Sequence, residues 1–419
     1  MDAAQLDQVV ATLWRVESPR VIARLARLVG DLDTAEELAQ DTFLAAIEKW
    51  RTEGVPDNPG AWLNRTAKFL AIDRLRRRDS RRSKYQQVAA TAPETVEHDL
   101  DEIVDGDLAD DLLGLIFMSC HPILSPDARS ALTLKLVCGL TTTEVARAFL
   151  APEATIAQRI VRAKRTLAAA NIRFELPDPS GRRARLDAVR EVVYLVFNEG
   201  HAASSGDQWV RRDLAAEALR LGRMLASLTP DDTETLGLLA LIELQASRIN
   251  ARTGPDGQPV LLRDQDRTRW DRLLIRRGLD NLDRIQALGG SPGPYALQAA
   301  IAACHARATT AEDTDWARIA ALYDGLAQIN PSPVVELNRG VATAEAFGPQ
   351  AGLDLVLPLF EHPGMGEYPL LPAVAGDLWC RLGDHAQARE LFLRAASLTQ
   401  NTQDRSVMQQ RAATCAAGH

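Results

Sequence analysis

Thr141 to Leu167 reads TTTEVARAFLAPEATIAQRIVRAKRTL, and its periodicity calls for two short helices joined by a turn. Thr141 and Glu144 stand at capping-box spacing, where a hydroxyl and a carboxylate reciprocally satisfy free backbone donors at a helix start. Val145 to Leu150 supplies the first helix, and Pro152 suits the opening turn of the second because its fixed φ is already helical. On that second helix Ile156, Ile160, Ala163 and Leu167 recur at helical spacing and form a stripe to be buried. Thr155, Gln158, Arg159 and Arg162 recur at i, i+3, i+4 and i+7 on another side. Such a helix offers polar and guanidinium groups to base edges and phosphates in a major groove. An ordinary amphipathic helix with a solvated basic face fits the same pattern.

A second signal lies upstream, in the helix beginning at Ala61-Trp62. Leu63, Ala67, Leu70 and Ala71 make its inward face, while Trp62, Arg65, Lys68, Phe69 and Arg76 gather opposite. Aromatics interleaved with cations suit single-stranded DNA, because bases stack on the rings while Lys and Arg track the phosphates. The arginines from Arg74 to Arg82 extend that footprint. The alternative is that Trp62 and Phe69 pack into a core. Charge follows the same division: residues 61–85 hold nine Lys or Arg against two acids, whereas residues 94–111 hold nine acids and no Lys or Arg. The acidic stretch reads as a linker, and a solvated tether explains its composition.

The whole chain has 419 residues, 46% hydrophobic and 25% charged, which suits two to four ordinary globular domains. Its net charge of −8 alone argues against nucleic acid, so the local distribution carries the argument. The cysteines (Cys120, Cys138, Cys304, Cys380, Cys415) are scattered without metal-ligand spacing and read as reduced, mostly buried thiols. No metal and no cofactor are expected. Neither a signal segment nor a membrane span is visible, so a cytoplasmic protein without a membrane partner is expected.

Leu6 to Trp50 predicts two or three helices with breaks near Ser18-Pro19 and Gly30-Asp31, and Arg51 to Gly60 a loop. Helices resume at Leu108, interrupted at His121-Pro122, Ser125-Pro126, Gly139-Leu140 and Ala151-Pro152. A Pro/Gly break at 176–181 precedes an Ala/Leu-rich helical remainder, and strand alternation is lacking throughout. Leu378 to Leu398 resembles the turn and second helix of a tetratricopeptide repeat, with Gly383-Asp384 in the turn and Ala388, Phe392 and Ala395 on the packing face. An echo at Phe347-Gly348 lies close to the 34-residue period of such repeats. An irregular helical domain is the alternative.

Taken in order, Asp33-Thr-Ala-Glu-Glu-Leu-Ala-Gln-Asp-Thr-Phe43, Pro59-Gly-Ala-Trp-Leu63 and Ala71-Ile-Asp-Arg-Leu-Arg76 resemble region 2 of extracytoplasmic-function (ECF) sigma factors, and Glu144 to Leu167 resembles their region 4. The resemblance implies an all-α fold: region 2 over 1–85, an acidic linker over 86–107, region 4 over 108–175 and a tetratricopeptide-like helical domain over 187–419. It implies that Asp33, Glu36, Glu37, Gln40 and Asp41 grip the clamp of core RNA polymerase. Asp57, Asn58, Trp62, Arg65, Lys68, Phe69, Asp73, Arg76 and Arg77 would engage the melted minus-10 strand. Thr155, Gln158, Arg159 and Arg162 would read the double-stranded minus-35 element. In the family the linker threads polymerase channels used by nucleic acid. Val55 to Leu63, Phe197-Asn-Glu-Gly200, Asp264-Gln-Asp-Arg267 and Ala311 to Trp316 resemble the subgroup with a C-terminal helical extension, whose protein or peptide partner is unknown. Phe69 stands where many members carry Asn, and Leu150 and Pro152 replace the usual turn Gly and helix-start Ser or Thr.

Two other readings compete. A helix-turn-helix activator with a sensing repeat domain needs only the Thr141 to Leu167 segment. An enzyme would use Glu199, His201 and Asp207 as acid-base groups, but no paired carboxylates, nucleophile elbow or phosphate loop accompany them. His121, between Cys120 and Pro122, reads as structural.

Overall fold

The computed structural model describes residues 3–87, 108–149, 151–172, 174, 179–201, 210–254, 259–363, 365–399 and 401–417. Among them the regular structure is helical, apart from isolated bridge residues such as the pair Thr253 and Pro259. The chain forms two compact units, residues 1–192 and 193–419. Most of the acidic linker, from residue 88 to 107, lies outside the described residues.

In the first unit α1 (Ala3–Val29), α2 (Leu32–Glu53) and α3 (Pro59–Gln87) pack against one another. Asp31 starts α2 by accepting the Thr34 N–H at 2.7 Å. Leu32, Ala35, Leu38, Ala39, Phe43, Ala46 and Trp50 then form its buried stripe. Gly54, at φ 81°, stops the helix. Asn58 caps α3 through a 3.0 Å bond from the Ala61 N–H. The loop is therefore shorter than expected, and α3 begins at Pro59 because a first helical turn has no use for the missing N–H. The expected break at Ser18-Pro19 is also absent, as α1 runs through Pro19. Proline forfeits one backbone bond there. Val21, Ile22 and Leu25 just beyond it are fully buried, and at about 1.5–3 kcal/mol each their burial outweighs that loss.

The remainder of this unit holds α4 (Leu108–Ser119), α5 (Pro126–Leu136), α6 (Thr142–Ala148) and α7 (Glu153–Ala169). Helix α4 packs on α1, where the buried Asp111 carboxylate pairs with Arg27 at 2.7 Å. The turn after α5 depends on Gly139, at φ 68°. A β-carbon there would sit 3.2 Å from both the Arg15 Cα and the Ser18 Oγ of α1. Helix α8 (Pro179–His201) begins inside the stretch expected to be a Pro/Gly break, and the division between the two units falls within it.

In the second unit α9 (Arg212–Leu228), α10 (Thr233–Ala246), α11 (Arg272–Leu288), α12 (Pro294–Arg307), α13 (Trp316–Ile329), α14 (Pro333–Phe347), α15 (Pro349–Val356), α16 (Leu370–Arg381), α17 (His385–Leu398) and α18 (Thr402–Ala417) follow, each packing on its chain neighbours. The motifs read from the sequence prove to be joints. Glu199 pairs with Arg211 at 2.9 Å. A Cβ at Gly200 would stand 2.4 Å from the Ala215 backbone nitrogen, so only glycine permits that approach. The buried Arg267 donates to the His305 and Ala308 carbonyls at 2.7 and 2.8 Å and to Thr314 at 3.2 Å, joining two stretches singled out separately. Gly383, at φ 89°, and Asp384, which caps α17, form the expected turn, and Ala388, Phe392 and Ala395 are buried.

Candidate nucleic-acid interface

The capping box forms as its spacing requires: the Thr141 Oγ1 accepts the Glu144 N–H at 3.1 Å, and the Glu144 carboxylate accepts the Thr141 N–H at 2.8 Å. The same carboxylate receives Arg15 of α1 at 2.8 Å. The helix it opens starts at Thr142, and Leu150 lies outside the described residues. Pro152 does not enter the next helix. It stands before it with ψ 140°, its carbonyl accepting from Thr155 and Ile156, so the proline ends the turn instead of opening α7. Along α7 the buried residues are Ile156, Ile160, Ala163 and Leu167. Thr155, Gln158 and Arg162 are exposed, and Arg159 is half-buried in a 3.3 Å ion pair with Asp127 of α5.

On α3, Leu63, Ala67 and Ala71 are buried and Leu70 is half-buried. Arg65, Arg76 and Arg77 are exposed, and Phe69 is 71% exposed, a large apolar ring facing water. Trp62 differs from Phe69, because one side of it meets the buried Trp50 ring edge-on at 5.3 Å. Lys68 and Asp73 are half-buried, and Asp73 pairs with Arg77 at 2.8 Å. Asp57 and Asn58 are exposed in the loop, Asn58 being occupied as the α3 cap. The side chains from Arg78 onward on this helix lie outside the described residues.

Asp33, Glu37, Gln40 and Asp41 make an exposed stripe along α2, and Glu37 pairs with Arg74 of α3 at 3.0 Å. Glu36 departs from expectation. It is 8% exposed, with Lys164 of α7 at 2.6 Å and Lys135 of α5 at 3.7 Å. Lys164 also reaches Asp33 at 2.8 Å. Burial alone would depress the Lys164 ammonium, but the two carboxylates outweigh it and hold it above its ordinary value. Sequence reading missed both lysines, since nothing local selects a partner so far along the chain. It also missed Leu44, 57% exposed next to Gln40, on an apolar groove with Val10, Trp14, Phe43 and Ile47.

Other candidates have structural roles. The Cys120 thiol bonds with Thr133 at 3.2 Å, and burial pushes it up to about 12. His121 Nδ1 accepts the Ile123 N–H at 3.2 Å. Of the acid-base trio, Glu199 is held by Arg211, His201 stacks on Phe197 and meets Arg252 at 3.0 Å, and Asp207 lies outside the described residues.

A helix-turn-helix, preceded by a helix that exposes Phe69 among cations and by a helix with an acidic stripe, is an arrangement suited to a transcription initiation factor. Comparison with known families agrees: residues 13–81 match Sigma-70 region 2, residues 115–167 match Sigma-70 region 4, and residues 185–286 match a family of unknown function (DUF6596). The chain belongs to the ECF branch of the sigma-70 family and directs promoter-specific transcription initiation. It is 41% identical over 387 residues to "Uncharacterized protein R00370" of Rhizobium meliloti, covering 92% of this chain and 91% of that one. It is 25% identical over 198 residues to "Probable ECF RNA polymerase sigma factor SigI" of Mycobacterium tuberculosis, 47% of this chain and 64% of the relative. To "ECF RNA polymerase sigma factor SigW" of Bacillus subtilis it is 28% identical over 146 residues, 34% of this chain and 77% of the relative. The family binds core RNA polymerase and promoter DNA. No helix among the described residues is long and apolar enough to cross a membrane.

Proposed function

We propose that the roles divide by helix. Helix α2 joins core polymerase through Asp33, Glu37, Gln40 and Asp41, with Glu36 engaged once Lys164 withdraws, and the adjoining groove around Leu44 receives an apolar side chain of the polymerase. Helix α3 takes the melted minus-10 strand on Phe69, with Arg65, Lys68, Arg76 and Arg77 along the phosphates and Trp62 presenting the side that Trp50 leaves open. Asp57 and Asn58 line the loop leading into it, and Asp73 orients Arg77. Helix α7 reads the minus-35 duplex with Thr155, Gln158, Arg159 and Arg162. The helices after residue 193 form a tetratricopeptide-like stack that supports activity by holding a protein or peptide. The observation that carries this reading is Phe69: a ring 71% exposed between exposed arginines costs solubility unless it meets a base.

The test is reconstitution of the full chain with core polymerase on a promoter mapped by transcript start sites after induced expression. Specific initiation that is lost with Phe69→Ala and retained by a pre-melted promoter bubble is expected. Initiation on duplex promoter that is indifferent to Phe69 removes this assignment.

A further inference from the structure

Cys380, His385 and Cys415 show no metal-binding spacing in the sequence, yet the fold brings them together. Cys380 lies in the last turn of α16, His385 opens α17, and Cys415 lies near the end of α18. The Cys380 Sγ is 3.7 Å from the His385 Nδ1 and 3.6 Å from the Cys415 Sγ, and the three donor atoms all lie within 4.8 Å of one another. Tetrahedral Zn(II), with Zn–S about 2.3 Å and Zn–N about 2.0 Å, places neighbouring sulfurs about 3.8 Å apart and sulfur and nitrogen about 3.5 Å apart. Two of the three edges therefore agree with that geometry to about 0.2 Å, and the third is no longer than 4.8 Å.

The surroundings hold the donors in place. Gly383 and the Asp384 cap, which accepts the Gln387 N–H at 3.0 Å, fix the turn that carries His385. Cys415 is pressed against Ala388, Phe392 and Ala412 in a small core. Arg411, one turn before Cys415, lies 4.5 Å over the Phe392 ring and pairs with Asp377 of α16, which ties this end of α18 to the helix that carries Cys380. Cys380 and His385 are half-buried, so an ion reaches the cluster from solvent. Two thiolates and an imidazole favour a soft or borderline ion over magnesium or calcium.

We propose that Cys380, His385 and Cys415 form a Zn(II) site that fastens the last helix to the hairpin before it, with the fourth position left to solvent or to a ligand from outside the chain. The full-length protein, reduced and stripped with chelator, is titrated with Zn(II) against a chromophoric competitor and separately with Co(II). One ion per chain, intense tetrahedral ligand-field bands and a thiolate-to-cobalt charge-transfer band are expected. Cys380→Ser with Cys415→Ser reduces the stoichiometry from one to zero, and Cys304→Ser leaves it at one. His385→Asn, at a half-buried turn position, decides the matter if the double variant loses its helical circular dichroism. It is expected to weaken binding by tenfold or more and to bleach the charge-transfer intensity. Absence of binding by the reduced wild type, a pale octahedral Co(II) spectrum, or a stoichiometry unchanged by these substitutions overturns the site. So does a Cys380–Cys415 disulfide that forms in air equally fast with and without Zn(II).

Discussion

Lys164 of α7 places its ammonium 2.6 Å from Glu36 and 2.8 Å from Asp33 of α2, so the helix proposed to read DNA holds two carboxylates proposed to meet polymerase. Glu36 is buried beneath Lys164 and does not face an outside partner while the pair stands, so core binding on this reading competes with the ion pair. Lys164→Ala is expected to tighten core affinity about 3- to 10-fold, which is about 0.7–1.4 kcal/mol. It is also expected to lower thermal stability, because Glu36 keeps only Lys135 at 3.7 Å. Fluorescence titration of labelled chain with core enzyme measures the first effect and thermal melting the second. An unchanged core affinity means that the ion pair does not stand in the way of the polymerase.

The two aromatics of α3 are expected to behave differently. Phe69→Ala removes a solvent-facing ring and should alter stability by less than about 0.5 kcal/mol. It should weaken binding of minus-10 single strand by about 1–3 kcal/mol. Trp62→Ala also breaks the edge contact with Trp50 and should cost about 0.5–1.5 kcal/mol of stability beyond its lost area. Paired melting and strand-binding measurements separate them, and equal stability losses from both contradict the packing difference.

Arg162 is exposed on α7, whereas Arg159 is held by Asp127. If Arg162 reads a base, Arg162→Ala costs about 1–3 kcal/mol and relaxes minus-35 preference. A phosphate contact instead weakens all promoters alike and lowers the salt slope by about one. Asp127→Ala should free Arg159 and modestly raise duplex affinity. Wild-type promoter binding and salt dependence in both variants exclude α7 as the reading helix.

In the second unit, His305 is pushed down to about 3 by burial and by the neighbouring Arg248 and Arg267. The unfolded chain takes up a proton on this histidine below its ordinary 6.5 and the folded chain refuses it, so stability falls as pH drops from about 6.5 towards 3. Between pH 7 and 5 the loss from His305 alone is about 2 kcal/mol. His201, likewise held well below its ordinary value by burial and by Arg252 and Arg248, adds in the same direction. His305→Phe, which preserves a ring against Trp316, should flatten the stability profile over this range, as followed by denaturant melts. An unaltered profile means that His305 is protonated in the folded chain.

What the sequence made legible was local. The buried stripe of α7 and the capping box at Thr141 depend on neighbours within one or two turns, and both appear as read. Pro19 misled because the rule against proline in a helix is local, while Val21, Ile22 and Leu25 are buried by partners elsewhere in the chain. The burial of Glu36 was invisible for the same reason, as both of its lysines come from beyond residue 130. The Arg267 joint was half legible, in that both of its stretches stood out without any sign that they meet.

Gly139 holds a φ of 68°, which strains any side chain, and a methyl group there would crowd the backbone of α1 at Arg15 to 3.2 Å. The position therefore works as a historical record. Lineages whose N-terminal helices still close onto the DNA-reading segment in this way should be barred from drifting away from glycine there. Lineages that have abandoned the arrangement should be free to accumulate side chains at that site, so aligned sequences alone would show which descendants kept it.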